Sequence, residues 1–505
     1  MSLRSWVRAR QDYVPADVAG TAVGGHVVSG SLWSGIGVAG TIGLQFVRSM
    51  IFARLLHPSD FGVINLANVL TQFILIFANF GFNSSIIYWR HVTRRDLATC
   101  WWGNLFVDGV AALVCVVFAF TGGRHLKQPE VSWVICLLAV QFVLLSVGSI
   151  NTALMRRLFQ FKRSAVVQIA GAAGTFVAAY VAVDLLHWSV YGLVAGMIFG
   201  ALIMTILSFV WMPWLPSLTF SWRTLREHAN YGRWFLGVNL VTYGNQNLDR
   251  VLIGTKLTST QLGYYDYAAN LPMQVVIQLG TVLNSVLFPA FASLQDDLQE
   301  LRRVLLRVMR YNALIIYPLL AGLAVVAEDF VRVAYGEKWL PIVVPTQIFC
   351  LFGMIRVLTN PYYALCNGVG KPALPFKWSV IVLPLNAALL YWGVGRGGLV
   401  GVTTAKLFLP AFMLFTLGVE ILRHVHLPHR VMWQAVYPAI VCCGAMAGTV
   451  FGMRLFLSHM LPGALARLLV EISVGMGVYA LVLRLFWPQD LAGIASFAKR
   501  LRPGA

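Results

Sequence analysis

Long apolar runs separated by short charged breaks organise the chain from end to end. They predict fourteen helices at approximately 31–55, 60–88, 98–121, 131–154, 164–186, 188–211, 233–255, 260–291, 311–335, 341–367, 374–394, 398–422, 432–456 and 464–486. A hydrocarbon core of ~30 Å is crossed by ~20 residues at ~1.5 Å each, so every run is long enough to span a bilayer. Only helices and closed barrels satisfy their backbone in lipid, and runs of this length are helices. The predicted fold class is an all-α polytopic membrane protein of about 14 transmembrane helices.

The pattern repeats. A shift of 201 residues lays 33–85 on 234–286 without a gap, with 11 identical pairs in 53, among them Trp33/Trp234, Gln45/Gln246, Gly62/Gly263 and Asn83/Asn284. Composition alone gives roughly four. Six predicted spans separate the copies, an even number, so the halves share one orientation as in parallel transporter repeats. The expected organisation is a cytoplasmic segment (1–28), an N-lobe of spans 1–6 (29–230) and a C-lobe of spans 7–12 (231–425). An appended helix pair, spans 13 and 14 (426–487), and a cytoplasmic tail (488–505) complete it.

One run breaks the apolar pattern. Residues 296–310 (DDLQELRRVLLRVMR) place Leu298, Leu301, Leu305 and Val308 on one stripe, with Asp296 and Asp297 at the N-terminal end. The spacing predicts an amphipathic helix lying at the cytoplasmic interface, with a calmodulin-type target as the alternative.

Composition agrees with the pattern: 58% of the 505 residues are hydrophobic and 11% charged, with a mean hydropathy of +0.74. No soluble chain of this size has that balance. The net charge of +19 is unevenly placed. With a cytoplasmic N-terminus, 25 of the 38 Lys and Arg fall on that side and 9 outside, clustered at Arg94–Arg95, Arg156–Arg163, Arg302–Arg310 and Lys499–Arg502. The charge therefore marks cytoplasmic loops of a membrane protein with both termini inside, and implies no nucleic-acid partner. The first 28 residues lack the apolar core of a cleavable signal peptide, which leaves the first span as insertion signal. Seven cysteines lie in apolar runs without C-x-x-C spacing and imply no disulfide framework.

Candidate chemistry sits where polar residues interrupt spans. On span 7, Asn239, Tyr243, Gln246 and Arg250 recur at i, i+4, i+7 and i+11 and share one face at ~100° per residue. Span 1 carries Thr41, Gln45 and Arg48 at i, i+4 and i+7, although the shift lays Arg48 on Asp249, one residue before Arg250. Two such faces could line a central cavity, where buried charge is tolerated, or could pair as helix–helix glue. Asp108, Asp249, Asp266, Arg356, Lys406 and Glu471 are further charges within spans. The arginine fork suits a diphosphate. Asp108, Asp249 and Asp266 could pair with these arginines or couple transport to an ion gradient. His424, His426 and His429 have no nearby Cys or carboxylate and read as a solvated loop, not a metal site. Gly368-Val369-Gly370-Lys371 is followed by Pro372 and lacks P-loop spacing, so no ATP chemistry is expected and no cofactor is implied.

The segments SGSLWSGIGVAGTIGLQFVRSMIFARLLHPSDFGVINLANVL, FGFNSSIIYW, VLFPAFASLQDD, YGEKWLPIV and NGVGKP, in that order, resemble the polysaccharide-transporter branch of the multidrug/oligosaccharidyl-lipid/polysaccharide flippase superfamily. They are most similar to its colanic-acid type of exporter. The resemblance implies two six-helix lobes in parallel pseudo-repeat, as in multidrug antiporters of that superfamily, plus a C-terminal helix pair. It implies a flippase that carries an undecaprenyl-diphosphate-linked oligosaccharide by alternating access, beside a polysaccharide polymerase and export machinery. By helix face, the substrate-binding set is Arg48, Arg250, Gln45, Gln246, Asn239, Tyr243, Arg356 and Lys406. Two other functions compete: a membrane polymerase or glycosyltransferase of the same pathway, and a drug or ion antiporter of the same fold. The short outward connections leave little room for the catalytic loop of an enzyme, whereas fold alone does not exclude an antiporter.

Overall fold

The computed structural model describes residues 40–490, apart from 79–81, 84–85, 87–91, 123–128, 159, 213, 294–296, 369–370, 372, 425–428 and 461–462. The predicted loop at His426 and the centre of the Gly368–Lys371 run lie outside the described residues. Among those described, the chain is helical with no strand. The helices are α1 (40–55), α2 (Pro58–Ala78), α3 (Arg94–Thr121), α4 (Pro129–Arg157), α5 (Phe161–Tyr180), α6 (Ser189–Trp211) and α7 (Trp222–Lys256). They continue with α8 (Ser259–Ser293), α9 (Leu298–Val325), α10 (Ala327–Ala334), α11 (Val343–Gly368), α12 (Ala373–Lys406), α13 (Phe408–His424), α14 (His429–Met460) and α15 (Ala464–Phe486).

Among the described residues, ten helical stretches are long and apolar enough to cross a membrane, against the fourteen predicted for the whole chain. One of them, Ala373–Arg423, has 51 residues and room for two crossings. Helix α7 is not among the ten, because its second half carries Asn239, Asn245, Gln246, Asn247, Asp249 and Arg250. Phe106, Phe415 and Met476 are 72%, 71% and 68% exposed on the helices, as apolar side chains are where lipid is the solvent. Local chemistry sets several ends. Thr93 and Asp96 form a reciprocal capping box at the start of α3, and the Asp297 carboxylate accepts from the Gln299 and Glu300 amides, 3.0 Å each, at the start of α9. Pro58 and Pro129 open α2 and α4, where the missing amide proton costs nothing. At Gly398 α12 turns sharply (φ 52°), and the Gly393 and Gly401 backbones approach too closely for a Cβ on either.

Two compact units divide the chain, Met1–Thr255 and Lys256–Ala505. In the first, α5 and α6 cross at small residues. A Cβ at Gly196 would lie 2.6 Å from the Thr175 carbonyl oxygen, and one at Gly200 would fall on the Thr175 hydroxyl. A one-turn π-helix, Val181–Leu185, ends α5. Phe52 and Leu56 of α1 pack with Ala179 and Val183. Helix α7 is tied to α2, since the Tyr243 hydroxyl donates to the Val69 carbonyl at 2.6 Å and Gly254 packs on Leu66.

In the second unit, the stripe at 298–310 departs from its prediction. It is the first half of a single helix, α9, that runs on through Val325. Leu301, Leu305 and Met309 are fully buried in the core with Tyr362, Leu417 and Val436, and only Leu298, at 40% exposure, remains open. The stripe is covered by protein, where an interfacial helix would present it to lipid. Helices α14 and α15 pack on the same core. The Tyr479 hydroxyl donates to the Leu314 carbonyl at 2.7 Å, and Arg310 pairs with Asp490. At the other end of α9, Asp329 is 1% exposed and accepts from Arg467 (2.9 Å) and pairs with Arg454 (3.5 Å); Arg454 also donates to Glu328 at 2.8 Å. These pairs tie α10 to α14 and α15.

Candidate functional site

A cavity of about 270 Å³ opens within the first unit, lined by α1, α4, α5 and α6. Thr41, Gln45 and Arg48 of α1, predicted to share a polar face, all reach it. The other polar lining groups are Gln141 from α4 and Gln168 and Thr175 from α5. Arg48 is the single charged lining residue among those described. The space exists because Gly171 and Gly200 keep α5 and α6 close while their small neighbours Ala172 and Ala201 leave the wall thin.

The polar groups are unequally engaged. Gln168 donates to the Ser164 hydroxyl at 3.3 Å, and the Thr175 hydroxyl donates to the Gly171 carbonyl at 2.9 Å. The Gln141 Oε1 is buried without a hydrogen-bond partner among the described residues. A buried amide oxygen in that state costs about 1–3 kcal/mol unless a ligand or water donates to it. The cavity therefore offers one guanidinium fork and several amides that both donate and accept. That set suits an anion bonded to a hydroxyl-rich group, because the fork pairs two phosphate oxygens and the amides match sugar hydroxyls.

The remaining predicted residues lie elsewhere. Asn239, Tyr243, Gln246 and Arg250 are on α7 in the first unit and are not in the lining of this cavity. Tyr243 spends its hydroxyl on Val69 and sets its ring 6.3 Å from Phe73. The Arg250 guanidinium turns back on its own helix, donating to Asn247 Oδ1 at 2.9 Å and to the Gln246 carbonyl at 3.3 Å. Asp249 is 2% exposed beside it in sequence, and Asp108 is half-buried on α3. Asp266 on α8, Arg356 on α11 and Lys406 at the end of α12 belong to the second unit. Arg356 lies over the Phe352 ring, 5.9 Å from its centre, and Lys406 is 5% exposed.

Sequence reasoning missed Gln141 and Gln168. Gln141 is an isolated amide in an otherwise apolar run, whereas Gln168 has Ser164 four residues before it and Thr175 seven after, a short polar stripe on α5. The available signal was the residue type itself, since an uncharged amide deep in a span is costly without a purpose.

A polytopic helical fold with a cationic, amide-lined cavity in one unit is that of a transporter, and solved structures carry the same fold. The lipid II flippase MurJ, inward closed conformation, superposes with a TM-score of 0.73 at 12% identity over 91% of this chain and 99% of that one. The chain belongs to the polysaccharide biosynthesis protein family, which matches residues 51–344. It is similar to the lipopolysaccharide biosynthesis protein WzxC of Escherichia coli strain K12, 28% identical over 74% of this chain and 77% of that protein. It is also similar to the succinoglycan biosynthesis transport protein ExoT of Rhizobium meliloti strain 1021, 23% identical over 94% and 96%. The protein is thus a multi-pass membrane transporter of the polysaccharide biosynthesis type.

Proposed function

We propose that the protein flips an undecaprenyl-diphosphate-linked oligosaccharide repeat unit across the bacterial inner membrane by alternating access, for exopolysaccharide or lipopolysaccharide synthesis. One observation carries the reading: among the described residues, Arg48 is the one cation lining a cavity otherwise walled by amides, hydroxyls and apolar groups. At about 270 Å³ the cavity admits a diphosphate or one sugar ring, a portion of such a substrate. Arg48 pairs the phosphate oxygens, and Gln45, Gln141 and Gln168 take the adjoining hydroxyls. Arg250, on the repeat-related face of α7, is a second diphosphate contact once its bonds to Asn247 and the Gln246 carbonyl are exchanged, with Gln246 and Asn239 on the same helix; Arg356 and Lys406 of the second unit are further candidate contacts. Asp108, Asp249 and Asp266 are the candidates to couple the movement to an ion gradient.

Turning a lipid-linked sugar over makes and breaks no covalent bond, so the reading is of a transporter rather than an enzyme. In this reading the lobes are 29–230 and 231–425 with the pair 426–487 appended, although the compact units divide at Thr255/Lys256; the charge bias favours cytoplasmic termini, and a polymerase and export machinery take the product at the opposite face of the membrane. The test is complementation of a strain deleted for this gene, scoring surface polysaccharide and membrane-inserted protein together. Wild-type protein should restore the polymer and Arg48→Ala should not, at equal abundance. Restoration by Arg48→Ala would remove the cavity from the mechanism.

A further inference from the structure

A second cavity of the first unit, about 550 Å³, shares no lining residue with the Arg48 cavity. It lies between α3 and the connection 212–221 that leads into α7. Trp102 and Phe106 of α3 form one wall, and Leu218, Phe220 and Trp222 the other. Its base closes because residue 103 is glycine, where a Cβ would meet Leu225 Cδ1 at 2.6 Å. The connection is pinned at this spacing. Trp102 Nε1 donates to the Ser217 carbonyl at 3.0 Å, and Arg95 donates to the Phe220 carbonyl at 3.5 Å. Phe220 and Trp222 rings meet edge to face, 5.2 Å apart. Leu218, Trp222 and Phe106 are nonetheless 90%, 77% and 72% exposed, so the groove is apolar and open along its length.

Its rim is basic. Arg94 and Arg95 open α3, and Arg223 and Arg226 flank the lining residues Trp222 and Leu225 in sequence, against two carboxylates, Asp96 and Glu227. Asp96 is held by the Thr93 cap and Glu227 by Arg223 at 3.1 Å, so the arginines outnumber the carboxylates beside the slot, and Arg95 reaches its Phe220 carbonyl. Trp102 and Phe106 lie roughly 12 and 18 Å along α3 from Arg94 at 1.5 Å per residue. The groove therefore runs the depth of one leaflet, roughly 15 Å, with its charge at the headgroup level. That is the outline of an anionic two-part amphiphile.

We propose that this groove is a binding site for an anionic glycerophospholipid of the leaflet on the Arg94 side. Its phosphate is paired by Arg95 and Arg226, and one acyl chain lies between Trp102, Phe106, Leu218 and Trp222. A bound lipid of this kind braces the 212–221 connection, which joins α6 to α7. The volume of about 550 Å³ suits one hydrocarbon chain of a phospholipid, and a longer isoprenoid would leave much of its length outside.

The test uses the full chain in phosphatidylcholine vesicles containing an equal fraction of either phosphatidylglycerol or phosphatidylcholine brominated at mid-chain. Bromine quenches tryptophan at contact, and the share due to Trp222 is read by subtracting the signal of Trp222→Phe. Brominated phosphatidylglycerol should quench Trp222 more strongly than brominated phosphatidylcholine. Each of Arg95→Gln and Arg226→Gln should reduce that preference up to roughly fivefold, from the attraction of one basic residue to an anionic lipid, and lysine at either position should retain it. Arg226 is exposed, so its substitution gives the reading even where Arg95→Gln disturbs the connection. Equal quenching by the two lipids would overturn the proposal. So would displacement of brominated phosphatidylglycerol by a trace of undecaprenyl phosphate, which would make the groove a carrier site instead.

Discussion

The hydroxyl of Tyr243 donates to the main-chain carbonyl of Val69 at 2.6 Å, fastening the polar helix α7 to α2. The ring is held separately by Phe73. Tyr243→Phe should therefore keep the ring contact, lose one buried hydrogen bond and cost about 1 kcal/mol. A lowered thermal midpoint in detergent with export retained is the expected result. Export lost at unchanged stability would return Tyr243 to the substrate path.

Asp329 is held by two arginines from α14 and α15 and is almost fully buried. Removing a carboxylate from such a pair leaves buried cations uncompensated, at about 3 kcal/mol, the lower end for buried pairs because Arg454 and Arg467 keep some exposure. Asp329→Ala should lower the yield of folded protein in the membrane markedly. Glu337→Ala, whose side chain is 81% exposed, should lower it little. Similar yields for the two variants would show that the network does not anchor the last two helices.

Gly196 and Gly200 let α6 lie against α5, with a Cβ at Gly196 only 2.6 Å from the Thr175 carbonyl oxygen. Leucine at either position must push the helices apart and distort the wall of the Arg48 cavity. Membrane abundance should drop several-fold by immunoblot. Gly444→Leu, where the surroundings are open, should be tolerated.

Orientation rests on the bias of basic residues toward one side. Reporter fusions after Arg95, Arg163 and Arg310 should report cytoplasm, and fusions near Lys127 and Lys338 periplasm. The reverse pattern would invert the proposed topology and place the basic groove rim in the outer leaflet.

Much of this fold is written in the spacing of apolar runs and charged breaks, because helices in lipid have few alternatives. The α1 face was legible for the same reason: Thr41, Gln45 and Arg48 recur at helical spacing and do line one cavity. The stripe of Leu301 and Leu305 was legible as amphipathic, but a stripe does not say what covers it, and here the cover is Tyr362 and Leu417, far away in sequence. Gln141 carries no periodic signal and Gln168 only the short stripe Ser164, Gln168 and Thr175, and only the packing of α4 and α5 against α1 makes them neighbours of Arg48. Glu328 and Asp329 fall within the predicted run 311–335, and Arg454 and Arg467, which pair with them, lie over a hundred residues on.

The central claim is that Arg48 grips the diphosphate of a lipid-linked oligosaccharide during its passage. It is tested most directly by the flipping rate of purified protein in proteoliposomes loaded with a fluorescent undecaprenyl-diphosphate oligosaccharide. Arg48→Ala removes a charge-assisted contact worth ~2–5 kcal/mol when desolvated, so flipping should fall by more than about tenfold with the protein still folded. Arg48→Lys should recover part of the rate, since a point charge lacks the bidentate fork. Wild-type flipping by the Arg48→Ala/Arg250→Ala double variant would contradict the claim outright.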